Sequence, residues 1–150
     1  MKIESQKFMT VMMGAPRSGK SAYVDNKFKG WQIICADDIR LGFGFQFDPK
    51  FENFVWAVHD AMLRAVLERN LNVVIDSTNT TENKIKQYKT ISDSYDYRFV
   101  IVLMRTSKEE CLKRNVGKGS VPIEVIEKMH SQMSEMLTSE FLKKYEVVYE

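Results

Sequence analysis

The sequence predicts an α/β protein whose parallel sheet of four to five strands is covered by helices on both faces. Short apolar runs alternate along the chain with longer segments of helical period, which is typical of repeated strand–helix units. Runs such as VVI and FVIVL lack the polar alternation of half-exposed strands, as expected for strands buried on both faces. At 150 residues, the chain is long enough to form one such domain, 1–150, with a substantial core.

Five segments have the length and the apolar, β-branched or aromatic content of strands. They are residues 8–13, 32–35, 72–76, 98–104 and 146–149. Helical spacing of apolar residues marks five further segments, at 19–29, 49–69, 80–92, 108–114 and 121–137. We expect Thr80 or Thr81 to cap the third of these helices, and Pro122 to lie in the first turn of the last, where proline is tolerated.

Composition and charge limit the classes of protein to which the chain can belong. The chain is 44% apolar and 28% charged, as in ordinary globular domains, and its net charge of +2 is too small to indicate a nucleic-acid or membrane surface by itself. No apolar run approaches the ~20 residues of a membrane span. Cys35 and Cys111 have neither CxxC nor metal-ligand spacing, so we expect reduced thiols in a cytoplasmic protein.

The segment GAPRSGKS connects the first predicted strand to the first predicted helix and matches the phosphate-loop pattern GxxxxGK[ST]. It consists of Gly14, Ala15, Pro16, Arg17, Ser18, Gly19, Lys20 and Ser21. Glycines let backbone N–H groups approach phosphate oxygens, and the following helix N-terminus favours the negative charge. Lys20 is expected to lie between the β- and γ-phosphates and the Ser21 hydroxyl to ligate Mg²⁺.

A carboxylate follows the third predicted strand, in NVVIDST. Asp76 is therefore expected at the carboxyl edge of the sheet beside the phosphate loop, where ligands bind in open α/β folds. A carboxylate there can hold Mg²⁺ directly or through water, or it can orient the attacking group. The alternative interpretation is an aspartate that caps a turn.

Two acids and an arginine follow the second predicted strand, in ICADDIR. A hydroxyl acceptor needs a base within hydrogen-bond reach, and a phosphate on that acceptor needs a cation. A carboxylate followed three residues later by an arginine supplies both, so Asp37 could be the base and Arg40 the cation. The alternative is a helix start with a surface salt bridge.

The segment RNVGKG, residues 114–119, is called the lid segment below. Arg114 and Lys118 on this Gly-bearing connection suit a lid that closes over a nucleotide and neutralises the transferring phosphoryl group. The alternative is a solvated basic surface.

Together these segments resemble the small P-loop kinases that include polynucleotide 5′-kinases and zeta-toxin-like kinases. The shared pieces are GAPRSGKS, the DDxxR pattern in DDIR, the acid before a Thr-Asn pair in IDSTN, and LKRN followed by VPIEVIEKMHSQM. The resemblance covers most of the chain, although residues 41–71 match only in helical character. It implies a P-loop NTPase three-layer α/β/α sandwich with a short lid, and an ATP- and Mg²⁺-dependent kinase.

The resemblance also implies residue roles. Lys20 and Ser21 would bind the donor phosphates and the metal. Asp37 would be the general base for a 5′-hydroxyl, and Arg40 would contact a 3′-phosphate of the acceptor.

Two positions depart from the family pattern. The family's lid arginine falls on Lys118, in a shorter lid, where lysine keeps the charge but lacks the guanidinium fork, so that Arg114 is the other candidate cation. Asp76 stands one residue earlier than the corresponding acid in part of the family. In this chain, Ser77 occupies the position of that acid.

Three functions fit the sequence. The favoured one is an ATP:5′-hydroxyl polynucleotide kinase; the second is a kinase of the same fold with a small-molecule hydroxyl acceptor, such as a nucleoside, nucleotide sugar or antibiotic. The third, a nucleotide-dependent switch, has no use for the DDxxR pattern, and the chain lacks an NKxD guanine motif.

Phe43, Phe45 or Phe47 could stack on an acceptor base or form a hydrophobic lid edge. No DxDGT phosphatase pattern is present, so 3′ end-healing is not expected.

Overall fold

The structure is a computed structural model that describes residues 5–44 and 47–150. Its elements are β1 (Phe8–Met13), α1 (Lys20–Lys27), β2 (Gln32–Ile34), α2 (Ala36–Gly42), α3 (Glu52–Glu68), β3 (Val73–Ile75), α4 (Glu82–Ser94), β4 (Arg98–Leu103), α5 (Lys108–Arg114), α6 (Ile123–Thr138) and β5 (Glu146–Tyr149). A short 3₁₀ helix, Phe141–Lys144, precedes β5 and was not predicted from the sequence.

The strands form one parallel sheet in the order β2-β3-β1-β4-β5. The first strand therefore lies at the centre, where it pairs with β3 on one side and β4 on the other. In a parallel sheet all strands end at the same edge, so the loops after β1, β2 and β3 meet there.

Helices cover both faces of the sheet, as the three-layer prediction requires. Met9, Val11 and Met13 of β1 belong to the larger apolar cluster, which includes Leu63, Leu67, Ile85, Tyr88, Met133 and Met136 from helices α3, α4 and α6. Met12 points the other way and packs with Val24 of α1. Successive side chains of a strand alternate between faces, so β1 contributes to both layers of the core. The predicted fold class is confirmed.

Several predicted boundaries change. The segment Ala36–Gly42 forms a helix, as in the alternative interpretation of ICADDIR; Asp37 and Asp38 occupy its first turn, where the helix dipole favours acids. The third helix begins at Glu52 rather than at 49, because Asp48 closes a turn through its carboxylate to the Lys50 N–H, 3.0 Å away.

The two expectations about helix starts have different outcomes. Thr81 caps α4, as predicted, by accepting a hydrogen bond from the Lys84 N–H. Pro122 is the residue that precedes α6 and not a member of its first turn, because its backbone is extended. Among the residues that the structure describes, no helix combines the length and hydrophobicity that crossing a membrane would require.

Candidate active site

The phosphate loop occupies the turn between the carboxyl end of β1 and the start of α1. The Gly14 N–H donates to the Thr78 carbonyl at 3.0 Å, which ties the loop to the segment after β3. A β-carbon on Gly14 would lie 2.6 Å from Ser18 Oγ and 3.1 Å from Met104 Cβ, so only glycine fits there. Gly19 has φ of 92°, a left-handed conformation that glycine adopts at no steric cost.

Lys20 points back into the curl of this loop. Its Nζ donates to the carbonyls of Gly14 and Ala15 at 2.9 and 2.8 Å. Burial lowers the pKa of Lys20 to about 8, although the charges of Asp76 and Asp37 act in the opposite direction. A buried ammonium inside a loop of this shape suits the recognition of phosphate oxygens.

The two predicted metal ligands meet at the start of α1. Ser21 Oγ donates to Asp76 Oδ2 at 3.0 Å, although the two residues are 55 positions apart. Burial raises the pKa of Asp76, whereas the Ser21 hydrogen bond and the Lys20 charge lower it. The Asp76 carboxylate thus bonds Ser21, whereas the alternative interpretation had it capping a turn.

This pair fits Mg²⁺. The ion takes oxygen ligands and keeps several waters, so that proteins often hold it by one or two side chains and substrate phosphates. Within residues 5–44 and 47–150 no cluster of three or more histidine, cysteine or acidic side chains offers a more complete metal site.

Three polar residues that the sequence analysis did not assign hold the loop in place. Asn79 is buried and donates from Nδ2 to the Met12 carbonyl at 2.8 Å, in a left-handed conformation that asparagine tolerates. Thr106 Oγ1 donates to the Ser18 carbonyl at 2.7 Å, and Thr78 accepts from Gly14. Thr78 and Asn79 could have been found from the sequence, because they form the Thr-Asn pair of IDSTN. Thr106 belongs to no motif that the sequence analysis identified.

Asp37 and Arg40 lie on α2, which follows β2 at the same edge of the sheet. The Asp37 side chain is 81% exposed, so an acceptor can reach it. Arg40 Nη1 donates to Asp37 Oδ1 at 2.6 Å. The ion pair of the alternative interpretation is therefore present, in addition to an accessible carboxylate.

Arg40 makes a second ion pair that the sequence did not indicate. Its Nε and Nη2 donate to the two carboxylate oxygens of Glu52 at 2.9 and 2.5 Å. The Glu52 hydrogen bonds raise the pKa of Arg40, and the same bonds lower the pKa of Glu52. An acid in the first turn of a helix is commonplace, so Glu52 gave no distinguishing signal.

Arg114 and Lys118, the two candidate lid cations, are placed differently. Arg114 donates from Nη1 to the Arg17 carbonyl of the phosphate loop at 3.4 Å and from Nε to Glu110 at 2.9 Å. Lys118 is exposed, and its backbone carbonyl, at 3.1 Å, accepts a hydrogen bond from the Arg17 guanidinium. The structure therefore brings the Arg114 guanidinium to the loop.

The aromatic residues Phe43 and Phe47 follow α2. Phe43 packs against Phe54 with ring centroids 4.9 Å apart, and the Arg40 guanidinium lies 5.7 Å from the centre of the exposed Phe47 ring. Phe45 lies outside the described residues. A neighbouring groove of about 310 Å³ is mainly apolar. It is lined by Ile33, Cys35, Asp38, Ile39, Gly42, Phe43, Val58 and Met62.

A family model described as AAA domain matches residues 9–138, which is most of the chain. Two curated relatives are similar to it. The L-seryl-tRNA(Sec) kinase of Methanococcus maripaludis is 24% identical over 131 residues, or 83% of this chain. A protein of Autographa californica nuclear polyhedrosis virus, assigned as a bifunctional polynucleotide kinase/RNA ligase, is 26% identical over 134 residues, or 79% of this chain.

A solved structure of the Pnkp1/Rnl/Hen1 RNA repair complex contains a chain with TM-score 0.78 and 25% identity over 91% of this chain. The matched region is 48% of that chain, 51% of the archaeal kinase and 19% of the viral protein. The chain thus spans about half the length of the archaeal kinase and about a fifth of the viral protein. The fold, the phosphate loop and the extent of the family match agree: the chain belongs to the AAA domain family and has the P-loop kinase fold.

Proposed function

We propose that the protein transfers the γ-phosphoryl group of ATP to the 5′-hydroxyl end of a polynucleotide. One arrangement carries the proposal: Asp37, whose carboxylate is exposed, lies in the first turn of α2 after β2, and Lys20 begins α1 after β1, so that both lie at the same edge of the sheet. The viral relative supports the choice of acceptor, since its name includes polynucleotide kinase. The names of the archaeal relative and of the RNA repair complex also concern RNA, although the archaeal kinase is named for a seryl group on tRNA and not for a 5′-hydroxyl end.

The proposed reaction is an in-line displacement at the γ-phosphorus. The acceptor hydroxyl oxygen forms the new O–P bond, the bond to the β–γ bridging oxygen breaks with its electron pair, and ADP leaves. Asp37 takes the hydroxyl proton, because an alcohol is a poor nucleophile at neutral pH. Lys20 and Arg114 neutralise charge on the transferring group. Mg²⁺ held by Ser21 and Asp76 would supply further neutralisation of the phosphate oxygens.

The contacts of Arg40 bear on whether it can bind a phosphate of the acceptor, the role that the resemblance implies for it. Glu52 engages two of its nitrogens, and a third bonds Asp37. Contact with a phosphate on the acceptor would have to compete with Glu52. The same contacts support a positioning role, in which the Glu52–Arg40 pair orients the Asp37 carboxylate toward the acceptor hydroxyl.

A second candidate is a kinase for a small-molecule hydroxyl. The groove beside α2 favours it, because its lining is mainly apolar and its one charged side chain is the acidic Asp38. A polynucleotide backbone would be expected to meet cations there instead.

One experiment separates these candidates. The protein is incubated with γ-labelled ATP, Mg²⁺ and a panel of acceptors: 5′-hydroxyl RNA and DNA oligonucleotides, the same oligonucleotides with 5′-phosphate, nucleosides, nucleotide sugars and aminoglycosides. We expect label transfer to 5′-hydroxyl oligonucleotides and none to their 5′-phosphorylated counterparts, with product mass as readout. Transfer only to a small molecule would replace the first candidate by the second.

A further inference from the structure

Arg17 connects the phosphate loop to the lid segment through its side chain. Its Nη2 donates to the Lys118 carbonyl at 3.1 Å and to the Val116 carbonyl at 3.4 Å. The phosphate-loop pattern placed Arg17 among the nucleotide-binding residues, with the rest of GAPRSGKS. In the structure, its guanidinium instead contacts the main chain of the lid segment.

The backbone on both sides is shaped for this contact. Arg17 has φ of 69°, a left-handed conformation that is uncommon for a residue with a β-carbon. Gly117 and Gly119 also have positive φ, of 75° and 84°, which lets the lid segment turn around the guanidinium. A β-carbon on Gly119 would lie 3.5 Å from Arg17 Nη2, so the two chains are in contact there.

The connection runs in both directions. Arg114 donates from Nη1 to the Arg17 carbonyl at 3.4 Å, so each of these arginines bonds the other's segment. Asn115 closes the base of the lid segment by two hydrogen bonds with the backbone of Val121, at 2.8 and 3.0 Å. The lid segment is thus held at its base by Asn115 and against the phosphate loop by Arg17.

We propose that Arg17 is a latch that holds the lid segment against the phosphate loop. It acts as a positioning residue, because fixing the carbonyls of Val116 and Lys118 keeps the Arg114 guanidinium beside the loop. The guanidinium recognises main-chain carbonyls, so the latch does not depend on which side chains the lid carries. The latch itself is independent of the acceptor; its effect on nucleotide release rests on the proposed function.

The first test measures how fast trypsin cleaves after Lys118 in the nucleotide-free protein, followed by mass spectrometry. Arg17→Asn removes the reach of the side chain while tolerating the left-handed backbone. We expect cleavage about 5- to 10-fold faster than in the wild type, since two hydrogen bonds from a charged donor are lost. Arg17→Lys should fall between, because an ammonium lacks the guanidinium fork.

Two controls make this result specific. Cleavage after Lys50, in the turn before α3, is the internal reference. Arg64→Ala is the matched variant, because it also removes one positive charge, from an exposed arginine of α3. A folded Arg17→Asn protein with the wild-type cleavage rate after Lys118 would overturn the latch. An equal acceleration after Lys50 would overturn it as well, because that result indicates general loosening.

The second test separates positioning from the shape of the phosphate loop. Stopped-flow measurements with fluorescent ADP give the association and dissociation rates separately. An open lid should raise the dissociation rate in Arg17→Asn several-fold, with Arg17→Lys between, and leave association nearly unchanged. Slower association with unchanged dissociation would contradict the positioning role. Failure of the wild type to bind ADP would instead contradict the proposed nucleotide site, while the proteolysis result would still test the latch.

Discussion

At the scale of single residues, the two carboxylates of the site differ in exposure, and that difference suits different tasks. Asp76 is buried and hydrogen-bonded to Ser21, so its position is fixed and its contacts are short. Asp37 is largely exposed and touches the protein through Arg40. A group that takes a proton from an incoming acceptor must be reachable, whereas a metal ligand must be held in place.

The role proposed for Asp37 predicts a specific kinetic defect. Asp37→Asn should lower kcat by about 10²- to 10⁴-fold, the usual contribution of a general base, because the amide cannot accept the proton. Binding of ADP should stay nearly intact, since the phosphate loop is unchanged. Steady-state kinetics with the acceptor found in the panel, together with titration calorimetry for ADP, measure both effects.

Asp38→Asn is the matched control, since it removes a neighbouring charge from the same turn of α2. It should retain turnover within a few-fold of the wild type. Near-normal turnover of Asp37→Asn would show that the base lies elsewhere.

At the scale of elements, the site is built from the loops after three neighbouring strands, β2, β3 and β1. The loop after β1 holds Lys20, the loop after β3 holds Asp76, and α2 after β2 carries Asp37. The lid segment comes from a fourth connection, between α5 and α6, and it reaches the phosphate loop through Arg17 and Arg114. Each connection contributes different candidate residues, so single substitutions can test them separately.

The lid cations give a prediction at this scale. The family pattern alone favours Lys118, because the family's lid arginine falls there, whereas the contacts favour Arg114. We now expect Arg114→Ala to lower turnover by at least about 10-fold, because a cation near the transferring group is lost, and Lys118→Ala to stay within about 3-fold. Initial-rate measurements at saturating ATP compare the two variants. The reverse order would return the role to Lys118.

At the scale of the whole molecule, an unusual histidine lies in the layer between α3 and α4. His59 is fully buried, and neither ring nitrogen has a hydrogen-bond partner among the described residues. Its ring packs against Trp56 and Tyr88, with centroids 4.9 and 6.2 Å away. Burial lowers the pKa of His59 from 6.5 to about 4; the Lys84 charge also lowers it, whereas Asp60 raises it.

This histidine predicts how stability depends on pH. Its pKa is lower in the folded than in the unfolded protein, so the unfolded state binds more protons between pH 6.5 and 4. Stability from this group is fully present above pH 6.5 and decreases as the pH falls toward 4. Between pH 7 and 4.5 the wild type should therefore lose about 2 kcal/mol more unfolding free energy than His59→Phe.

Urea unfolding of both proteins at the two pH values measures this difference. His130→Phe serves as the control, because His130 is only half-buried and should give a smaller change. Parallel pH dependence of the wild type and His59→Phe would show that His59 is not the group responsible.

The parts of the site that could be predicted from the sequence are those whose chemistry lies in consecutive residues. Gly14 is required because a β-carbon there would clash, and Gly19 because its backbone is left-handed. Both reasons lie within one short loop, so the motif could be recognised from consecutive residues. The buried strands were likewise recognisable, because a strand covered on both faces must be apolar throughout. Helix α2 was anticipated only as the alternative interpretation of ICADDIR, because the seven residues Ala36–Gly42, with two acids in the first turn and a glycine at the end, leave too short an apolar pattern to decide.

The sequence by itself determined the α/β architecture and the phosphate loop, because these depend on local composition and on the order of the elements. Only the tertiary structure decided which distant side chains meet. Arg40 bonds Glu52, the Arg114 guanidinium bonds the phosphate loop, and Arg17 bonds the main chain of the lid segment. The reason is physical: a pairing between separate segments depends on strand order and side-chain direction, which the folded sheet and its connections fix together and which no single segment encodes.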